Sequence, residues 1–202
     1  MPHRPRLWSA IPHGPLDGFD YSADRPFIGW HKPDMLADIA DWLAMDPPRL
    51  ELATLACNEL VLRRARTALK DATNLFARAE LSPISWLDDA RKAAREACPP
   101  KAKANNRGRV YVILRDGYAE QNGYYGAYVG TTTKDVEARY LQHRDPEEPT
   151  AAKGLPKHGI ELLYSLFAGW NPLPGALQLE TETRLHHALA NAIPKVSGDT
   201  LP

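Results

Sequence analysis

Cysteine is scarce in this sequence, since the 202 residues include only Cys57 and Cys98, which lie far apart. Two separated cysteines build neither a disulfide scaffold nor the paired ligand spacing of a zinc site. Their simplest interpretation is a pair of ordinary thiols in a reducing compartment. The cysteine pattern therefore excludes small disulfide-stabilised secreted domains and the common zinc modules.

Long apolar runs and an excess of one charge are missing as well. No stretch of about 18 apolar residues occurs, so no membrane span is expected. The proline-broken start MPHRPRLWSAIPHGPLDG lacks the apolar core of a signal peptide, and we expect a cytoplasmic protein. Basic and acidic residues balance at 25 each, so the sequence has no general basic excess, although a local patch could still contact DNA.

Composition divides the chain into four segments. Residues 1–31 are rich in proline, glycine and aspartate and predict an irregular arm with aromatic anchors. Residues 32–100 show helical spacing of apolar residues and predict a helical domain, a possible DNA-contact or specificity element. Residues 101–108, KAKANNRG, predict a basic linker. Residues 109–202 change to strand-like patterns and predict a second domain.

Three helices are expected in the helical domain. The first begins near Asp34 and ends at a pair of prolines. A long helical run follows from about residue 50 to residue 81. The third helix begins at Ser82 as its cap, with Pro83 at its first position.

The sequence pattern of residues 109–202 predicts strands and helices in alternation. The order is a strand RVYVILRD, a strand YYGAYVGT, a helix capped by Thr132, a strand IELLYSLFAGW and a helix ALQLETETRLHHALANAI. This order predicts a small three-stranded antiparallel sheet with helices packed on it, so the expected fold class is α+β.

Polar side chains fall where the helix following Thr132 should be apolar. Val136, Arg139, Tyr140 and His143 form an i, i+3, i+4, i+7 stripe. A buried arginine without a partner would cost several kcal/mol, roughly 3–5 in comparable cases, so Arg139 must meet an anion. The stripe therefore predicts a site for an anionic ligand or protein group.

A carboxylate falls on the core-facing side of the last helix. Helical spacing from Leu185 and Leu189 leads back to Glu182, whereas Glu180 falls on a solvent face. A core-facing carboxylate needs a cation or a proton to hold it there. Tyrosine, arginine, histidine and glutamate on one sheet suit phosphodiester chemistry, because they can move a proton, bind phosphate and hold Mg²⁺.

Residues 108–197 resemble the GIY-YIG nucleases, and the closest local likeness is to phage homing endonucleases around YVGTTTKDVEARYLQH. Arg109 stands where the first motif has glycine, and Thr131 stands where many members carry lysine, with Lys134 as a substitute. Ser197 lies about where the family has an asparagine. The matching stretches are RVY at 109–111, YVG at 128–130, Arg139 with His143, KHG at 157–159 and Glu182.

The resemblance implies a role for each matching residue. Tyr111 would be the general base or orient the water, and Arg139 with the metal would lower its pKa from about 10. Tyr128 and His143 would position water or phosphate and shuttle protons. Arg139 would bind the phosphate, and Glu182 would hold Mg²⁺ or Mn²⁺.

Structural interpretations of the same residues stay open at this point. The tyrosines could be ordinary strand aromatics. Arg139 could pair with Glu137 or Glu182, and His143 could cap the end of its helix. His158 is interpreted as a loop histidine, and the adjacent histidines at 186 and 187 point to different helix faces.

The resulting hypothesis is a Mg²⁺-dependent endonuclease acting on double-stranded DNA, as a restriction or host-defence enzyme in a prokaryotic or phage context. Alternatives are a structure-specific repair or homing-type nuclease, and an inactive DNA-binding module that keeps the fold. A homodimer is possible. The basic residues considered for DNA contact are Lys134, Arg63, Arg66, Lys101, Lys103 and Arg107.

Overall fold

A computed structural model describes residues 14–99, 108–118, 124–173 and 178–199. Over these residues the chain forms helices and strands in an order that confirms the α+β class. The elements are α1 (Lys32–Leu43), α2 (Leu50–Leu62), α3 (Arg66–Arg78), α4 (Leu87–Ala97), β1 (Arg109–Arg115), β2 (Gly126–Thr132), α5 (Val136–Arg144), α6 (Leu155–His158), β3 (Gly159–Leu162), α7 (Tyr164–Phe167), α8 (Gln178–Ala190) and β4 (Val196–Ser197).

The strands form one sheet in the order β3-β1-β2-β4. β1 pairs antiparallel with both β2 and β3, whereas β4 pairs parallel with β2. The three predicted strands pair antiparallel as expected, but the prediction of a three-stranded, wholly antiparallel sheet is wrong, because a fourth strand joins in parallel. The fourth strand comes from the segment expected to be an irregular tail, because Lys195 accepts a hydrogen bond from the Ala127 backbone N–H at 2.9 Å and continues the sheet.

The third strand is shorter than its apolar pattern predicts. β3 ends at Leu162, and the chain turns at once into α7. The carboxylate of Glu51 accepts hydrogen bonds from the backbone N–H groups of Tyr164 at 3.0 Å and Ser165 at 2.8 Å. This carboxylate satisfies the free N–H groups that begin a helix, so a residue 113 positions away redirects the backbone.

The long helical run predicted from residue 50 to residue 81 is two helices. α2 ends at Leu62, and Arg64 adopts a left-handed backbone conformation with φ of 52°. Next to it, the Arg63 guanidinium donates to the carbonyl groups of Phe27, Ile28 and Trp30 at 2.6–2.8 Å. These contacts with the preceding arm hold the break between α2 and α3.

Two predicted helix caps are also wrong. α4 begins at Leu87 rather than at Ser82, whose backbone N–H instead faces the Tyr125 hydroxyl at 3.5 Å. α5 begins after Asp135, and Thr132 accepts a hydrogen bond from the Lys134 backbone N–H at 3.0 Å in the preceding turn. Ser82 is therefore engaged in a long-range contact and Thr132 in a local turn, so neither residue caps the helix to which its sequence pattern assigned it.

The helical half and the sheet half share one apolar core. α4 packs against α7 and α8. Two tryptophans cross the contact, since Trp170 Nε1 donates to the Ala94 carbonyl at 3.1 Å and Trp86 Nε1 donates to the Tyr125 carbonyl at 2.9 Å. In the part of the chain described, no helix has the length and apolar character needed to cross a membrane.

Candidate active site

The two central strands bring Tyr111 and Tyr128 to the same face of the sheet. Tyr111 on β1 is paired with Gly130 on β2, and Tyr128 is paired with Ile113. Directly paired residues, and residues two apart on one strand, point to the same face. The two rings are therefore diagonal neighbours, with centroids 6.2 Å apart.

Gly130 is glycine because the Tyr111 ring lies over its backbone. A Cβ at this position would be 2.5 Å from the Tyr111 hydroxyl oxygen and 2.6 Å from Cζ. It would also be 2.9 Å from Cε1 of Tyr128. The glycine of the YVG stretch thus makes room for both tyrosines, and any side chain there would displace them.

α5 brings His143 to the hydroxyl of Tyr111. The histidine is fully buried, and its Nε2 lies 2.7 Å from the Tyr111 oxygen, while its Nδ1 accepts a hydrogen bond from the Ala152 backbone N–H at 2.9 Å. A backbone N–H can only donate, so Nδ1 carries no proton and Nε2–H donates to Tyr111. Neither ring nitrogen bonds a carbonyl at the end of α5, as a capping role would require.

Burial keeps this imidazole neutral. It lowers the pKa of His143 to about 4, and the positive charge of Arg139 adds to the shift. At neutral pH the ring therefore carries one proton, fixed on Nε2 by the contact with Ala152. His143 can donate a hydrogen bond to Tyr111 in this state but cannot take a proton at Nε2.

The Tyr111 hydroxyl is the point on which these side chains converge. Burial raises the pKa of Tyr111, and the neighbouring Tyr128 raises it further. Hydrogen bonding from Arg139 and the charge of its guanidinium act in the opposite direction and favour the phenolate. Tyr111 is therefore a buried phenol whose oxygen accepts the His143 Nε2–H, while the charge of Arg139 favours its phenolate form.

Arg139 differs from the expectation of a side chain on a buried stripe. Val136, Tyr140 and His143 are buried as predicted, but Arg139 is partly exposed. Its guanidinium donates to the Thr150 hydroxyl and carbonyl oxygens, each at 2.9 Å. It forms no ion pair with the two glutamates considered as partners, so its charge stays available to a ligand at the edge of the site.

Glu182 is buried, with 4% of its surface exposed, whereas Glu180 is exposed, which confirms the predicted helix faces of α8. Its Oε2 accepts a hydrogen bond from the Thr131 hydroxyl at 2.7 Å, and its Oε1 accepts one from the Asp199 backbone N–H at 3.1 Å. Burial raises the pKa of Glu182, against these hydrogen bonds, and the charge of Asp199 adds to the rise. The same carboxylate raises the pKa of Tyr128, after burial, so the two groups are close.

Thr131 and Asp199 are site residues that the sequence did not reveal. Thr131 stands at the lysine position of the resemblance, and nothing in a lone threonine indicates that its hydroxyl binds a carboxylate on another element. Asp199 comes beside Glu182 only because β4 joins the sheet. Ser197, at the place of the family's asparagine, donates to the Ala127 carbonyl at 3.3 Å and lies 3.1 Å from the Tyr118 hydroxyl instead.

The residues considered for DNA contact have different surroundings. Lys134 is exposed beside the site and lowers the pKa of Glu148 by its charge, after the hydrogen bonds from Thr150. Arg66 is exposed at the start of α3, but Arg63 is held by internal carbonyls and by Glu59. Three of the residues considered lie outside those described: Lys101, Lys103 and Arg107.

Three of the other histidines, His158, His186 and His187, lie outside this cluster. His158 pairs with Asp116, with Nδ1 and Oδ1 at 3.0 Å, at the far end of β1. The ring centroids of His186 and His187 are 6.1 Å apart, and one side chain is half-buried while the other is exposed. This difference in burial agrees with the expectation that adjacent helical residues point to different faces.

Glu182 is the residue best suited to hold a divalent cation. Among the described residues, no group of three or more His, Cys, Asp or Glu side chains is arranged around a common point. Mg²⁺ usually keeps several waters and takes only one or two carboxylates from the protein. A buried carboxylate that forms no ion pair within the described chain fits such an ion, because the cation would favour its charged form.

Comparison with models of protein families finds no match to this chain. No curated protein matches it, and no solved structure matches it. The function is therefore inferred from the geometry of the cluster and from the resemblance of its short motifs.

Proposed function

We propose that this protein is a Mg²⁺-dependent endonuclease of GIY-YIG type that hydrolyses phosphodiester bonds in double-stranded DNA. The observation that carries the proposal is the His143 Nε2–H at 2.7 Å from the Tyr111 hydroxyl, with Tyr128 on the same face of the sheet, Arg139 at the edge of the site and a buried Glu182 on α8. These five residues come from four elements and match the five positions of the resemblance.

Tyr111 is the residue that we assign to proton removal from water. Its raised pKa means that the phenol keeps its proton at neutral pH before DNA binds. The His143 Nε2–H at its oxygen and the positive charge of Arg139 stabilise the phenolate relative to the phenol. When DNA is bound, Tyr111 passes its own proton to solvent water, and the phenolate oxygen then takes a proton from the attacking water, which restores the phenol.

Arg139 is the residue that we assign to the phosphate. A guanidinium presents donors in a planar fork, which suits two oxygens of one phosphate. Because Arg139 is partly exposed and its charge favours the Tyr111 phenolate, it can contact a phosphate and assist the base at the same time. Charge that develops on the phosphate in the transition state is thereby stabilised.

Glu182 is the residue that would hold the metal ion, with Thr131 and the Asp199 backbone fixing its carboxylate. When bound, Mg²⁺ supplies Lewis-acid polarisation of the phosphate and stabilises the leaving oxygen. Tyr128, on the same face of the sheet as Tyr111, would orient water or phosphate. We assign the enzyme to restriction or host defence, and a homing-type or repair nuclease is the alternative within the same chemistry.

A cleavage assay on purified full-length protein tests the proposal. Supercoiled plasmid should be nicked or linearised with Mg²⁺ or Mn²⁺, and EDTA should stop the reaction. Digestion of a sequenced genome and mapping of the cut ends would then give the recognition sequence.

The matched controls are Glu182→Gln, which should abolish cleavage while leaving DNA binding intact, and Glu180→Gln, which should cleave normally. An absence of cleavage on methylated, unmethylated and branched DNA, with intact DNA binding, would contradict the proposal. That result would favour an inactive DNA-binding module.

A further inference from the structure

One short segment contacts both His143 and Arg139. It runs from Glu148 to Ala152 and lies between α5 and α6. Thr150 accepts two hydrogen bonds from Arg139, one at its hydroxyl and one at its carbonyl, and the Ala152 backbone N–H donates to His143. No residue of this segment belongs to the motifs of the resemblance, so its part in the site comes from the structure alone.

The Thr150 hydroxyl is oriented by a carboxylate. Its Oγ1 lies 2.6 Å from Glu148 Oε1, and its backbone N–H donates to the same oxygen at 3.1 Å. A threonine hydroxyl has one proton, and Glu148 takes it. The free lone pairs of Oγ1 are therefore left for Nη1 of Arg139, which donates to them at 2.9 Å.

This arrangement restricts a side chain that would otherwise move freely. Arginine loses rotamer entropy when it is fixed in one position. Arg139 lies at the edge of the site and is partly exposed, so its buried neighbours alone do not fix the guanidinium. The two acceptors of Thr150, at 2.9 Å each, hold it more closely than Gln142 Oε1, which lies 3.3 Å from Nη1.

We propose that Thr150 is a positioning residue for phosphodiester cleavage: its hydroxyl and carbonyl hold the Arg139 guanidinium at the edge of the site, where it meets the scissile phosphate. This inference rests on the proposed function. Thr150 touches neither substrate nor metal and acts only through Arg139.

Two substitutions separate the hydroxyl from the shape of the side chain. Thr150→Val keeps the branched shape and removes the acceptor, whereas Thr150→Ser keeps the acceptor. Misplacing a reacting group by about 1 Å can cost on the order of 100-fold, so Thr150→Val should lower the single-turnover cleavage rate by at least about tenfold. Thr150→Ser should stay within a few-fold of the natural protein.

An exposed threonine on α3 gives the matched control. Thr73 donates to the Leu69 carbonyl within its own helix and lies outside the site. Thr73→Val should therefore leave the cleavage rate unchanged. A rate for Thr150→Val equal to that of Thr73→Val would overturn the proposal.

A double-mutant cycle shows whether the effect passes through Arg139. In an Arg139→Ala background, Thr150→Val should have no further effect on the cleavage rate, because there is no guanidinium left to hold. If the two substitutions multiply as independent effects, Thr150 acts on general stability and the proposal is overturned.

A measurement that needs no cleavage separates this inference from the proposed function. In protein labelled with ¹³C and ¹⁵N arginine, the NMR signal of Arg139 should show slowed rotation about the Nε–Cζ bond. Thr150→Val should release that rotation, and Thr150→Ser should not. Slowed rotation in a protein that cuts no DNA would uphold the contact and refute the nuclease, whereas free rotation in the natural protein would refute the contact itself.

Discussion

Two glutamates with nearly equal exposed surface show how the two halves of this molecule differ. Glu59 in the helical half is 3% exposed and Glu182 in the sheet half is 4% exposed. Burial acts to raise the pKa of Glu59, but hydrogen bonds from Arg25 and Arg63 outweigh it and the pKa is lowered. The pKa of Glu182 is raised by burial, which the hydroxyl of Thr131 does not offset.

The partners explain the difference. Glu59 lies 2.6 Å from the Arg63 guanidinium and 2.7 Å from that of Arg25, so its charge is neutralised within the helical half. Among the described residues, the donors to Glu182 are both neutral, a hydroxyl and a backbone N–H. A buried charge with internal partners is explained by the fold, whereas one without them points to a ligand.

Glu51 shows that a raised pKa alone does not mark a site. Burial raises its pKa to about 7, yet its carboxylate caps the beginning of α7. Its own backbone N–H donates to Glu161 at 2.6 Å, so the two glutamates join the halves. What distinguishes Glu182 is that its carboxylate caps no helix and accepts instead from the Thr131 hydroxyl on β2, the strand that carries Tyr128.

Removal of one oxygen atom from Tyr111 should give the largest loss in cleavage rate. Tyr111→Phe keeps the ring and its packing but removes the hydroxyl oxygen that accepts the His143 Nε2–H. We expect the single-turnover rate to fall at least about 100-fold, the lower limit for a lost proton-transfer group. A rate within a few-fold of the natural protein would reduce Tyr111 to a strand aromatic and would remove the contrast between the two halves.

A smaller loss is expected at Gly130. The new Cβ of Gly130→Ala would be 2.5 Å from the Tyr111 oxygen and must displace the ring. We expect the cleavage rate to fall at least about tenfold through this displacement. Gly169→Ala is the control, because nothing lies within 4 Å of the corresponding Cβ. Equal activity of the two variants would show that the Tyr111 position does not matter.

A third test concerns the hydroxyl that holds Glu182. Thr131→Val removes the donor to Oε2 without changing the shape of the side chain. We expect the Mg²⁺ concentration for half-maximal cleavage to rise by about tenfold, because loss of a residue that orients a metal ligand weakens metal binding by at least about that factor. Thr131→Ser should restore the natural value. An unchanged Mg²⁺ dependence in the valine variant would mean that the hydroxyl does not orient the carboxylate.

Glu51 should affect stability and not catalysis. Its pKa of about 7 in the fold lies above its ordinary value of 4.5, so folding binds a proton between those pH values. The free energy of unfolding should therefore fall as pH rises through this window, by up to about 1.4 kcal/mol per pH unit. Denaturant titrations from pH 5 to pH 8 should show a flatter profile for Glu51→Gln, and an unchanged profile would contradict the assignment.

Periodicity predicted the parts of the site that depend on one element. The burial of His143 on α5 and of Glu182 on α8 follows from helical spacing, which is local. The α+β class follows in the same way from the order of strand and helix patterns. These predictions needed no information about which elements touch.

The parts that were wrong or missed depend on contacts between distant residues. Glu51 ends β3 from another element, and Arg63 breaks a helix by bonding the preceding arm. The Thr131 hydroxyl and Thr150 are placed by the packing of α8 and of a loop. A sequence pattern does not encode such pairings, because each partner alone has an ordinary local context.

The most direct test of the account measures melting and cleavage for Glu59→Gln and Glu182→Gln together. Glu59→Gln should lose about 1–2 kcal/mol of stability, discounted for the exposure of Arg25, and should retain cleavage. Glu182→Gln should melt near the natural temperature and lose Mg²⁺-dependent cleavage of the same DNA. If Glu182→Gln cuts normally, or if both variants fail only by unfolding, then the buried carboxylate of the sheet half is structural and the account is contradicted.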